Sequence, residues 1–359
     1  MTTSLPAPPR VSQAFPRPAA SPIDPSLKLR TVVQSLPGEV FEKDTGKALA
    51  MVATTLVSVT LSYALLAICP WYLLPIAWFV TGTALTGFFV IGHDCGHRSF
   101  FNNTTLNNWV GHIAFLPLVY PFHAWRILHN HHHKHTNKLE EDNAWTPMLP
   151  EVYDATPKGL QWGYHQVRGW FWWIGSVGHQ LSRHFNWAQF EGKQRQQVRF
   201  SALLVLVTAA IAFPLMFATL GVWGLVKFWL MPWLGYHFWM STFTIVHHTA
   251  PDIPFRPAAE WNEAESQLSG TVHCKYPAWI EFLCHDINVH IPHHVSTGIP
   301  SYRLRQAHAS LQENWGDYLI EREFNFAMMK EIAERCHLYH PENYYESIPA
   351  HERKAAALD

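Results

Sequence analysis

Three histidine clusters are the part of this chain built for chemistry. They are His93-Asp94-Cys95-Gly96-His97, His129-Asn130-His131-His132-His133 and His290-Ile291-Pro292-His293-His294. Positions i, i+3 and i+4 share one face of a helix, so the first cluster presents two imidazoles to one side and each of the others up to three. Neutral imidazole suits iron, copper, nickel and zinc. A structural zinc site closes with four ligands and often uses cysteine, but neither Cys-x-x-Cys nor His-Glu-x-x-His occurs here. The lone Glu-x-x-His, Glu334 to His337, is too isolated for a carboxylate-bridged bundle site. Eight clustered nitrogens fit two metals, and iron is the metal that suits oxidative chemistry, because zinc has no redox step.

The elements that hold these clusters follow from where charge is missing. Among 359 residues, 26 Lys+Arg against 27 Asp+Glu give a net charge of −1, which excludes the basic footprint of a nucleic-acid binder. Charged residues make up 15 % and hydrophobic ones 48 %, poor in charge for a soluble chain. Five scattered cysteines make no disulfide framework. No Asp, Glu, Lys or Arg lies between Ala48 and Gly92, and only Lys227 between Ser201 and Val246. A helix crosses a bilayer in about 20 residues, so each stretch holds two crossings, broken at Cys69-Pro70-Trp71 and at Thr219-Leu220-Gly221-Val222. The expected spans are 48–68, 71–92, 201–219 and 222–246. The basic residues of 93–200 place all three clusters on the cytoplasmic side.

The predicted architecture is an all-α integral membrane protein with about four transmembrane helices in two hairpins. Residues 1–46 read as a disordered proline-rich tail and a pre-membrane segment, 47–345 as the working domain and 346–359 as a tail. The apolar stretches 106–122 and 170–181 are shorter than a span and read as helices lying in the interface. Small residues from Gly82 to Gly87 read as a helix-packing patch rather than a nucleotide loop. Nine histidines outside the clusters, among them His165, His308, His337 and His351, are expected to be ordinary surface or satisfied buried residues.

The boxes H-x-x-x-H, H-x-x-H-H and H-x-x-H-H, in this order around two apolar hairpins, resemble those of the membrane fatty-acid desaturases. Gly92–Phe100, Tyr120–Asn137, Phe238–His248 and His285–His294 are similar in detail to the cyanobacterial acyl-lipid delta-12 (omega-6) desaturases. The resemblance covers residues 27 to 345. It implies that His93, His97, His129, His132, His133, His290, His293 and His294 hold a di-iron centre. A further ligand near the end of the fourth span is implied too; His248 fits it best, with its neighbour His247 left open. His131, His135 and His285 are extra to the boxes.

Such an enzyme removes two hydrogens from an unactivated –CH₂–CH₂– pair, a task no side-chain acid or base can perform. It takes O₂ and two electrons. With no G-x-G-x-x-G fingerprint and no haem motif around His340, the donor is a separate protein, and the resemblance implies ferredoxin. It further implies that oleoyl groups of membrane glycerolipids become linoleoyl groups, in the plasma or thylakoid membrane of a cyanobacterium-like bacterium. Desaturation at delta-9 or delta-15, or hydroxylation on the same scaffold, is the alternative.

Overall fold

The computed structural model describes residues 23–357, so the proline-rich stretch up to residue 22 lies outside the described residues. A short helix, α1 (Leu29–Ser35), precedes the first long one and buries Val32. Helix α2 (Thr45–Ile68) starts where the Asp44 carboxylate accepts the Lys47 N–H at 3.0 Å, satisfying one of its free donors. It stops before Pro70, and a tight turn at Trp71–Leu73 sends the chain back as α3 (Leu74–His97). The 24 residues of α3 extend about 36 Å, so the Trp71 turn and the first histidine box lie at opposite ends. This helix runs past the expected end at 92. The first box is therefore its last turn, continuous with the span.

Among the described residues, three helical stretches are long and apolar enough to cross a membrane: Thr45–Ile68, Trp71–His97 and Gly192–His248. The third contains α9 (Gly192–Leu225), a π turn and α10 (Met231–His248). It is not straight. Gly221 sits at φ 67°, ψ −173°, within the break expected from sequence, and the Phe213 and Trp229 rings lie 4.4 Å apart. Sixteen residues of straight helix would separate them by about 24 Å, so the chain doubles back there. The most apolar window of the second stretch is 67 % buried, against 22 % and 6 % for the first and third. Helix α3 is thus the enclosed central element, with the outward faces of α2 and α9 left apolar.

Helices α3 and α10 pack backbone to backbone. A Cβ on Gly82 would lie 2.6 Å from the Gly235 Cα, so the small-residue patch does serve helix packing. Between the two hairpins come α4 (Thr104–Phe115), α5 (Phe122–Lys134), α6 (Pro150–Ala155), α7 (Lys158–Arg168) and α8 (Gly175–His179). The expected interfacial stretch 170–181 is helical from Trp172 onward, a 3-10 turn (Trp172–Ile174), α8 and a π turn (Gln180–His184) following one another without a break.

After α10, the chain forms α11 (Glu263–Leu268), strand β1 (Val272–Lys275), α12 (Ala278–Leu283) and α13 (His290–Val295). It continues as α14 (Leu304–Trp315), β2 (Ile320–Glu323), α15 (Phe326–Arg335), β3 (Leu338–His340), β4 (Tyr344–Glu346) and α16 (Ile348–Ala356). Strand β1 pairs in parallel with β2, and β3 antiparallel with β4. The fold is mostly helical, and these two short ladders are its one departure from the all-α expectation among the described residues. Runs of three or four residues are too short to show an alternating pattern.

Candidate metal centre

The structure draws the three boxes together at the C-terminal ends of α3 and α10. His93 and His97 from α3, His129 and His133 from α5, and His293 from α13 bring their ligand nitrogens within 4.8 Å of one another. A second group forms from His132 of α5, His248 of α10 and His294 of α13. His290 joins it through His248, with Nε2 atoms 3.2 Å apart. All nine expected residues are thus gathered, but each box does not act as one face. Chain neighbours diverge by about 100° on a helix, and the fold splits His132 from His133 and His293 from His294 between the groups. His247 belongs to neither. It stacks on His290 with ring centroids 4.1 Å apart.

Hydrogen bonding shows that these imidazoles fit metal ions. His132 donates Nδ1–H to Asp142 Oδ1 at 2.7 Å, and His290 Nδ1 faces the Ile287 carbonyl at 3.3 Å, which leaves both Nε2 atoms bare. His248 Nε2 lies 3.3 Å from the first and 3.2 Å from the second, and one proton cannot serve both. His133 Nε2 is in the same position, 3.0 Å from Nε2 of both His129 and His293. Bonds of about 2.0–2.1 Å from imidazole to a metal imply ligand-to-ligand edges of about 2.9–3.4 Å. Buried Nε2 atoms of His93, His97 and His294 have no hydrogen-bond partner. Burial, and after it the neighbouring imidazoles, hold His129, His133, His290, His293 and His294 well below the usual imidazole range. They stand neutral at pH 7, the form that ligates.

Outer partners fix the ring orientations, and sequence reasoning missed them. Asp142 accepts from His132 and also from the Asn137 N–H at 2.7 Å. Asp94 lies 2.9 Å from His93 Nδ1, while its other oxygen accepts the Ser301 N–H at 2.6 Å. Gln267 Oε1 lies 2.8 Å from His294 Nδ1, and its amide donates to the His133 carbonyl at 2.6 Å. Asp94 stood inside a box and could have been suspected; Asp142 and Gln267 carry no spacing that marks them. Of the extra histidines, His131 and His135 contact the Glu141 segment and His285 contacts Thr55, so none enters either group.

A third group, His273, His308 and Glu321, lies apart. Glu321 accepts from His308 at 3.0 Å and also from Gln312, and pairs with Lys275 at 3.4 Å. Its charge is satisfied without an ion, and His308 is the ordinary buried residue expected.

A cavity of about 390 Å³ reaches both groups from the side of the long helices. Phe89, Tyr120, Trp125, Trp145, Met240 and Phe243 form its apolar wall, with His93, His132, His248 and His290 at its end. Trp145 is pinned. Its backbone is left-handed at φ 52°, its indole donates to Thr244 Oγ1 at 2.8 Å, and its carbonyl accepts from Arg168 at 2.7 Å. Such strain in a bulky residue persists only where the surroundings over-determine it.

Long apolar helices ending in two imidazole groups that could hold metal ions, beside an apolar cavity, define a multi-histidine protein of the membrane type. The profile of the family "Fatty acid desaturase" matches residues 70–325, and the chain belongs to this family. It is 61 % identical over 341 residues to the sn-1 oleoyl-lipid 12-desaturase of Picosynechococcus sp., covering 94 % of this chain and 98 % of the relative. The protein of the same name from Synechocystis sp. is 56 % identical over 97 % of this chain and 98 % of its own. The chloroplastic omega-6 fatty acid desaturase of Arabidopsis thaliana is 52 % identical over 89 % of this chain and 71 % of its own.

Proposed function

We propose that this chain is an O₂-dependent di-iron acyl-lipid desaturase that converts oleoyl groups of membrane glycerolipids into linoleoyl groups through a cis double bond at delta-12. The relatives' names extend this to the sn-1 position. The observation that carries the reading is the pair of frustrated, buried imidazole groups closing an apolar cavity. His93, His97, His129, His133 and His293 would hold one iron, and His132, His248, His290 and His294 the other. Bound iron supplies activation of O₂ for removing two hydrogens, which no side chain here can do.

The chain's own residues do the rest. Asp94 and Asp142 hold His93 and His132 with the lone pair on Nε2 turned inward. The wall of Phe89, Trp125, Trp145 and Phe243 excludes water and fixes which methylene pair meets the clusters, since position depends on near-attack geometry. In this reading each arm of 192–248 crosses the membrane, giving four crossings, with the clusters at the cytoplasmic face and ferredoxin as donor.

The test is expression in a host that makes oleate but no diene. Gain of linoleate, with the bond located by mass spectrometry of derivatised esters, is the expected result. A hydroxylated chain, or a bond at carbon 9 or 15, would overturn the delta-12 reading.

A further inference from the structure

A second opening reaches the same imidazoles from the other side. It is a recess of about 680 Å³ bounded by Gly96–Arg98 at the end of α3, by the outer face of α5 and by the residues leaving α13. The acyl cavity is lined by Phe89, Phe243 and Thr244, about one to two turns before α3 and α10 end. The recess begins where α3 stops, and His97, His133 and His294 form its floor. One opening therefore faces the long apolar helices, and the other faces away from them.

Three cations edge the recess: Arg98, Arg126 and Lys134. Among the described residues none of them is in an ion pair, and the Arg126 guanidinium bonds only the neutral Gln197 amide, at 2.9 Å. Glu263, the one carboxylate in the lining, pairs with none of them. Burial and the nearby Arg98 charge both work against the charge on Arg126. Like charges left together without a counterion favour an anionic visitor. Arg98 caps α3 in a left-handed conformation, φ 59°, where glycine is the easy choice. The backbone gives no reason for an arginine there.

We propose that this recess is the electron port of the metal centre, the docking site of a soluble, acidic one-electron carrier protein. The proposal rests on the desaturase reading, which sets the balance. Breaking two C–H bonds to form C=C yields two electrons and two protons, whereas reducing O₂ to two waters takes four of each. Two reduced carriers supply the missing electrons one at a time, and solvent the missing protons. His97, His133 and His294, with an edge in the recess and a nitrogen in the clusters, form the shortest path inward.

The test uses the full chain in lipid nanodiscs with a plant-type ferredoxin as the probe, read by direct binding and by turnover at varied ionic strength. Arg98→Gly relieves backbone strain while removing a cation, and Lys134→Glu reverses one; Lys330→Glu, at an exposed position of α15 that lines neither opening, is the control. Each rim variant should weaken ferredoxin binding and raise its KM about tenfold at low salt, one unfavourable charge contact. It should also flatten the salt dependence, and leave the lipid KM and the rate with a small viologen reductant unchanged. Rim variants that match Lys330→Glu in binding and salt slope would overturn the port. So would a rise in lipid KM with ferredoxin binding intact, which would make the recess a head-group site. Salt- and rim-dependent ferredoxin binding by a wild type that desaturates nothing with any donor would support the port while removing the desaturase reading.

Discussion

His132 and His133 are neighbours in the chain but face different groups: His132 Nε2 lies 3.3 Å from His248 Nε2, and His133 Nε2 lies 3.0 Å from His293 Nε2. His293 and His294 divide in the same way on α13. Two short helices, each contributing an adjacent pair, thus bridge the two groups and fix their separation. A box of the form H-x-x-H-H is the shortest helical pattern that supplies both an i, i+4 partner and a residue rotated toward a second site.

Asp142→Asn keeps the shape at the second group but removes the carboxylate that orients His132. Metal affinity should fall by about 10–100-fold, the usual loss for such a partner. The loss should appear as iron released during titration with a chelator, well before that of the wild type. Identical release curves would show that Asp142 has no such role.

Gly175→Ala acts on the cavity wall. A Cβ there would lie 2.7 Å from the Trp145 indole, whose N–H is tied to Thr244 while Arg168 holds the carbonyl of the same residue. The ring must move toward the chain path, so turnover should drop by an order of magnitude or more, with iron content unchanged. Steady-state rates paired with metal analysis distinguish this from unfolding. A fully active Gly175→Ala would mean that Trp145 does not bound the acyl path.

Much of the site was legible because metal ligation needs several imidazoles on one helix turn, a demand that spacing records directly. The charge-free stretches were legible for the same kind of reason, since a membrane excludes charge over a fixed length. The end of α3 was not. Spacing puts its two histidines on one helical face, but the apolar run ends at Gly92, and only the fold joins span and box into one helix. Gln267 and Asp142 were hidden because an outer partner can reach the site from any backbone position. The β1–β2 pairing joins residues far apart in sequence, Val272 with Ile320, which no local pattern encodes.

Acid should loosen the C-terminal end. His337 accepts the Ile348 N–H at Nδ1 (3.0 Å) and donates from Nε2 to the Ala333 carbonyl (2.7 Å), so a second proton has no place. Burial pulls its pKa down to about 4 from 6.5. The unfolded chain binds the proton more readily, so this contribution to stability is complete above pH 6.5 and is lost as the pH falls toward 4. Amide exchange across β3, β4 and α16, corrected for its intrinsic pH dependence, should quicken between pH 7 and 5. Protection that stays level over that range would contradict this.

Topology makes a prediction of its own. The turns at Trp71 and Gly221 lie at the opposite ends of the long helices from the clusters, so single cysteines there should react with an impermeant reagent from the outer or lumenal side. Cysteines at Lys138 or Glu313 should not. Labelling of both sets from one side would remove the four-crossing arrangement.

Metal analysis with Mössbauer spectroscopy of the purified protein, in wild type and in His132→Ala and His133→Ala, tests the central claim most directly. Close to two irons per wild-type chain are expected, with little zinc and a coupled pair of inequivalent sites that either substitution disrupts. One iron per chain, zinc in its place, or an unchanged pair after losing His132 or His133 would contradict it.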